Sequence, residues 1–327
     1  MNFFKGKNAL VTGGAGFIGS NLTHKLCELG ANVTVIDFLI PDAGGNLFNL
    51  EGVKEKVTLV IDDMGSDKIG ELLIDQDFVF NLAGQVSHIS SMKNPINDLK
   101  INCESQLKFL EACRMVAKKN AKIVHTSTRQ IYGSPKYLPI DEKHPLTPPD
   151  INGINKLASE QYHILYNKVY GLNTCVLRLT NTFGPRQLIN HSKQGFIPWF
   201  VKQAICGEEI SIFGTGLQIR DMNYVEDVVS ALLSSAITEK SNGKIYNLGS
   251  QENLNLKNFV KLLIDITGKG SYKIIPFPED QKKIDVGDTF CDYSKIESEV
   301  GWRPKVSISE GLEKMVAYYE QFKEHYL

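Results

Sequence analysis

Gly13, Gly16 and Gly19 recur at intervals of three in the segment ALVTGGAGFIGSNL, residues 9–22. An apolar run precedes them and a helically spaced run follows. Such a triplet lets the chain turn tightly, brings backbone close to a pyrophosphate and lets a helix pack against a strand. The helix N-terminus then offers free N–H groups to the phosphates. Phe17 and Ile18 lie inside this stretch and belong to the same candidate cofactor surface. Asp37 ends the next β-branched run, NVTVID, at the distance the dinucleotide fingerprint requires. A carboxylate there accepts from both ribose hydroxyls and repels a 2′-phosphate, so the expected cofactor is NAD rather than NADP. Asp63 and Met64 follow the third strand, in reach of an adenine ring; a helix N-cap region accounts for them equally well.

The elements that would position these residues alternate. Strand patterns cover residues 8–12, 32–37, 57–61, 78–82, 122–126 and 175–179. Helical spacing covers 21–29, 95–120 and 155–170. Alternation of this kind predicts an α/β fold, a doubly wound parallel sheet of Rossmann type. After Arg178 the alternation weakens, and a smaller mixed substrate-covering lobe is expected. The Pro- and Gly-rich stretches 134–149 and 184–195 read as long loops.

Composition narrows the function classes. The chain has 327 residues, enough for one large domain or two coupled ones. Lys and Arg number 36 against 37 Asp and Glu, which argues against a nucleic-acid binder. Cys27, Cys103, Cys113, Cys175, Cys206 and Cys291 form no CxxC pair, so no metal site is expected and free thiols fit a reducing compartment. No apolar run reaches the roughly 20 residues of a membrane span, and the N-terminus has no signal-peptide pattern. The expectation is a cytoplasmic protein without membrane or nucleic-acid partners.

Taken together, the motifs resemble the extended short-chain dehydrogenase/reductases of the NAD-dependent nucleotide-sugar epimerase/dehydratase family. They are TGGAGFIGS, NLAGQVS (81–87), HTSTRQIYG (125–133), NGINKLASE (152–160) and LRLTNTFGPR (177–186). QIRDMNYVEDVV (218–229), YNLGS (246–250) and SKIESEVGWRP (294–304) follow in the family's order. The resemblance implies that Leu82 and Ala83 border the cofactor and Ser87 the substrate. It also implies a Ser/Thr, Tyr, Lys triad, with Thr128 at the hydroxyl position and Lys156 as the lysine that binds the nicotinamide ribose.

The tyrosine position of that triad holds Asn152, and Asn155 is a second departure. An amide does not titrate near neutral pH and is no general base. Tyr132 and Lys136 satisfy the YxxxK spacing, but YGSPK opposes a helix and the pair is rejected. His88 is the best titratable substitute, because histidine titrates near neutrality. Lys156 itself, or a water held by Asn152 and Thr128, are rivals. Arg129 and Gln130 stand where 4,6-dehydratases of the family carry an acidic pair, so a standard dehydratase is disfavoured. Arg129 reads as a ligand for an anionic part of the substrate or as a surface salt bridge.

On the substrate side, the resemblance assigns Asn181 and Arg220 to the nucleotide diphosphate; alternatives are a loop-bracing Asn and an Arg paired with Asp221. Asp285 stands where relatives carry a second diphosphate arginine and would repel phosphate, with Lys282 or Lys283 as compensating cations. The expected organisation is a cofactor domain over residues 1–180, joined again by 221–248. The substrate lobe then comprises 181–220 and 249–327. The resemblance further implies a homodimer formed through the helices at 95–120 and 155–170. The expected function is NAD-dependent oxidation of a nucleotide-activated sugar at a ring carbon, C4, epimerase-like and with a non-tyrosine acid/base. A dehydratase with rearranged acid/base residues, or a non-catalytic NAD/sugar-nucleotide binding protein, remain as alternatives.

Overall fold

The computed structural model describes residues 3–40, 43–282 and 285–327. Strands and helices alternate through the first half: β1 (Asn8–Thr12), α1 (Phe17–Glu28), β2 (Asn32–Asp37), β3 (Val57–Ile61), α2 (Ile69–Leu73), β4 (Phe78–Asn81), α3 (His88–Lys93), α4 (Pro95–Leu99), α5 (Ser105–Val116), β5 (Lys122–Thr128), α6 (Ile151–Tyr170) and β6 (Asn173–Leu179). The second half is mixed: β7 (Asn181–Phe183), α7 (Phe196–Ile205), β8 (Glu209–Phe213), β9 (Ile219–Tyr224), α8 (Val225–Ile237), β10 (Lys244–Asn247), β11 (Asn253–Asn255), α9 (Leu256–Thr267), β12 (Ser271–Ile275), α10 (Glu279–Lys282), α11 (Ser294–Val300) and α12 (Ile308–Phe322).

Seven parallel strands form the main sheet in the order β3-β2-β1-β4-β5-β6-β10. The order reverses between β1 and β4, and a doubly wound sheet opens its ligand crevice at such a point. Both faces are covered, which explains the unbroken apolar runs of the inner strands. Leu22 and Leu26 of α1 pack with Val228 and Leu232 of α8 on one side. Ile69, Phe109, Leu110 and Tyr166 close the other. A separate apolar core, including Phe200, Ile210, Phe259 and Leu312, holds the second-half elements together. There β11-β9-β7 and β12-β8 form two small sheets.

The predicted class is therefore observed, with local differences, two of which bear on the site. The helix expected over 95–120 contains a π-helical turn at Lys100–Glu104 between α4 and α5 and ends at Val116. Asn102, in that turn, accepts from Gln85 N (3.0 Å) and donates to Gln85 O (3.1 Å), so the widened turn seats its amide against the loop after β4. The helix expected from 155 begins at Ile151, because Asp150 caps it by accepting from Gly153 N at 2.7 Å. Among the described residues no helix is long and apolar enough to cross a membrane.

Candidate active site

One cavity runs along the carboxyl ends of β1, β4 and β5. At its first end, Gly13 adopts φ +69°, and a Cβ there would lie 3.0 Å from Ala83 Cα. A Cβ on Gly19 would lie 2.1 Å from Gly13 O, so only glycine lets α1 approach the turn. Gly16 begins α1 without a side-chain cap, which leaves first-turn N–H groups for a ligand. Asp37 Oδ2 accepts from Ala15 N (3.0 Å) and Oδ1 from Leu39 N (2.9 Å). Burial pushes its carboxyl above the usual range, against the pull of those N–H groups. Leu82 and Ala83 both donate their N–H to Thr12 Oγ1, at 3.0 Å each, which ties the loop after β4 to β1. Phe17, Ile18, Asp63 and Met64 also line this end, with Asp63 Oδ1 accepting from Gly65 N at 2.6 Å.

The other end is built by β5, α3 and α6. Thr128 ends β5, lines the cavity and accepts from Gln130 N at 3.1 Å. Asn152 and Lys156 share one face of α6, one turn apart. Lys156 is half-buried beside Gly84, where a Cβ would lie 2.7 Å from its Nζ. Burial lowers the lysine to about 8, opposed by the negative charge of Asp98. Asn152 donates from Nδ2 to Asp98 Oδ2 and to Gln85 O, both at 3.0 Å. Asn155 Nδ2 donates to the other Asp98 oxygen at 2.8 Å. Asn152 and Asn155 thus meet on one buried carboxylate. Sequence reasoning missed Asp98; its only signal was an acid on the inward face of an amphipathic helix.

His88 opens α3, lines the cavity, and stands with Nδ1 2.9 Å from Asp150 Oδ2. Asp150 is buried and also accepts from Gly153 N and, at 3.1 Å, from Gln130 Nε2. Burial raises its carboxyl, but nearby His88 and the Gly153 and Gln130 donors outweigh it and hold it below the ordinary value. Asp150 was also missed. Its signal was an N-cap type directly after Pro148-Pro149 and before a helical run.

The remaining predicted residues separate. Asn181 lines the cavity and donates to Asp221 O at 2.9 Å. Arg129 lines it as well and makes no hydrogen bond or ion pair with any described residue. Ser87 instead caps α3, accepting from Ser90 N at 3.2 Å. Arg220 is buried outside the cavity lining and donates to Ile219 O, Gly287 O and Asp285 Oδ1, the last at 3.1 Å. Its partner is Asp285 rather than Asp221, so the carboxylate expected to repel phosphate neutralises an arginine. Lys282 is exposed on α10, and Lys283 lies outside the described residues. Tyr132 is buried in a 3₁₀ turn, donating to Asn247 Oδ1 at 2.7 Å, so it shares no helix face with Lys136. No group of three metal-ligating side chains occurs among the described residues.

The sequence matches the family described as GDP-mannose 4,6 dehydratase over residues 10–315, and the chain belongs to this family of nucleotide-sugar epimerases and dehydratases. UDP-glucuronic acid decarboxylase 1 of Xenopus tropicalis is 32% identical over 324 residues, covering 98% of this chain and 73% of that protein. The structure of UDP-glucose 4-epimerase from Thermotoga maritima, solved with UDP-glucose, superposes with a TM-score of 0.87 at 34% identity, covering 97% of this chain and 99% of that one. UDP-glucuronic acid 4-epimerase from Bacillus cereus, solved with UDP-glucuronic acid and NAD, gives 0.85 at 26% identity, covering 96% and 99%.

Proposed function

We propose that the chain is a cytoplasmic, NAD-dependent enzyme that oxidises C4 of a nucleotide-activated sugar and re-reduces it, epimerase-like, with His88 as its acid/base. The observation that carries this reading is the His88–Asp150 pair opening onto the cavity that Lys156 and Thr128 also line. The glycine turn fits a dinucleotide, since the space a Gly19 side chain would need is already filled by backbone. NAD, when bound, supplies the acceptor for the hydrogen and electron pair that leave the sugar carbon.

The protein's own groups do the rest. The uncapped first turn of α1 holds the pyrophosphate, and Asp37 accepts from the adenosine ribose. Lys156, as an ammonium, holds the nicotinamide ribose. Thr128 and the carbonyl of Asn152, whose amide hydrogens are already given to Asp98 and Gln85, orient the reacting hydroxyl. The Asp150 carboxylate, with Oδ2 2.9 Å from His88 Nδ1, holds the ring by charge and proximity and leaves Nε2 as the basic atom that takes the hydroxyl proton. The imidazolium that forms is stabilised by the same carboxylate. The relatives' substrates include both a neutral and an acidic sugar, so the choice of sugar falls to the cavity residues.

Residues 1–180 with 221–248 are assigned to the cofactor lobe, supported by the place of β10 in the main sheet. Residues 181–220 and 249–327 are assigned to the substrate lobe. A homodimer through α4–α6 is supported by apolar side chains left outside: Ile96, Leu99, Leu107, Leu165 and Val169.

The test is incubation with UDP-, GDP-, CDP- and dTDP-sugars, followed by absorbance at the NADH band and by product NMR in deuterated water. Inverted C4 configuration without solvent label supports the reading. Tight binding without turnover identifies a binding protein instead, and solvent deuterium with loss of water identifies a dehydratase.

A further inference from the structure

The cavity wall contains a guanidinium with no hydrogen-bond or ion-pair partner among the described residues. Arg178 is paired with Glu160, Arg114 with Glu111, Arg186 with Asn21 and Arg220 with Asp285. Arg129 is half-buried and has no such partner among the described residues. Buried Asp221 lies within its electrostatic reach, yet the two form no ion pair. Withdrawing an unpaired cation from water is costly, so its place in a cavity wall points to an anion from outside.

Its position says which anion. Arg129 directly follows Thr128 and opens the 3₁₀ turn Arg129–Tyr132. In that turn Gln130 is committed to Asp150, and Ile131 and Tyr132 are buried. Arg129 is therefore the turn's one charged side chain at the cavity, one residue from the hydroxyl that orients the reacting carbon. The diphosphate leaves the sugar at C1, across the ring from C4. We propose that Arg129 reads a carboxylate on the sugar ring, and that the substrate is a nucleotide-activated uronic acid rather than a neutral hexose. This rests on the sugar-nucleotide reading of the cavity. The planar fork of arginine matches a carboxylate with two parallel N–H donors.

Calorimetric titration of the NAD-loaded protein with UDP-glucuronate, UDP-glucose and UDP tests it. UDP-glucuronate should bind at least about tenfold tighter than UDP-glucose, the worth of a charged hydrogen bond. Arg129→Gln should remove that preference while leaving the affinities for UDP and NAD in place, and Arg129→Lys should restore part of it. Equal affinity for the two sugars in the unaltered protein overturns the inference and leaves the proposed function standing. Equal weakening of UDP by Arg129→Gln assigns the arginine to the diphosphate and also overturns it. Binding of NAD but of none of these three, nor of the matching GDP, CDP and dTDP ligands, overturns the sugar-nucleotide reading itself, and this inference with it.

Discussion

His88 and Asp150 lie 62 positions apart in the chain, yet Nδ1 of one stands 2.9 Å from Oδ2 of the other. The carboxylate that begins α6 thereby fixes the ring that begins α3. One side chain does two things: it caps a helix and orients a histidine at the cavity wall.

Replacing either partner should separate these roles. His88→Asn should lower kcat by about 100-fold or more, the usual worth of a general base, with a smaller change in KM. Asp150→Asn keeps a good N-cap and so should keep the melting temperature within a few degrees, while lowering kcat and altering its pH profile. Steady-state kinetics with thermal melts of both variants checks this. An unchanged rate in His88→Asn removes the histidine from the mechanism.

Lys156 should make NAD binding weaken with rising pH. Its ammonium is lost near pH 8, because burial lowers it and Asp98 only partly opposes that. The NAD dissociation constant, followed from neutral to alkaline pH, should rise through that value. Asp98→Asn removes the opposing charge and should move the rise to lower pH. A pH-independent dissociation constant would show that the lysine charge does not hold the cofactor.

A buried histidine pair beneath the site should limit acid stability. His125 and His163 stack with centroids 4.0 Å apart, and both are buried. Ser159 O and Asn81 O take Nδ1–H from His163 and His125, so both rings fit as neutral Nδ1–H tautomers. Burial lowers His163 from 6.5 to about 4 and His125 well below 6.5. A folded value below the unfolded one means stability is fully present above about pH 6.5 and is lost as pH falls toward 4. At about 1.4 kcal/mol per unit, His163 alone accounts for a loss on the order of 3 kcal/mol. Urea melts over that window should show it, and His163→Gln should flatten the dependence.

Charge placed on the outer face of α6 should separate the subunits of the proposed dimer. Leu165 and Val169 are 49% and 57% exposed, one turn apart. Leu165→Glu with Val169→Glu should halve the mass seen by sedimentation while leaving the circular dichroism of the protomer intact. A monomeric parent protein would remove the dimer from the proposal.

What the sequence determined by itself was local or repetitive. The glycine turn, Asp37 at the end of β2, and the alternation of strands and helices are each set by backbone geometry over a few residues. That is why a doubly wound parallel sheet could be anticipated, whereas the seventh strand, β10, and the strand order came only with the tertiary structure. Pairing across long separations was decided only by the tertiary structure. Asp98 meets Asn152 and Asn155 across 54 and 57 positions, and Asp285 meets Arg220 across 65. A side chain's spacing in sequence carries no record of which distant partner shares its cavity. Helix packing and strand register set those distances, and hydrogen bonds and charge pairs act only over a few ångströms. Asn152 therefore read as a missing tyrosine in the sequence. In the folded protein it is one of two amides closed around a buried carboxylate.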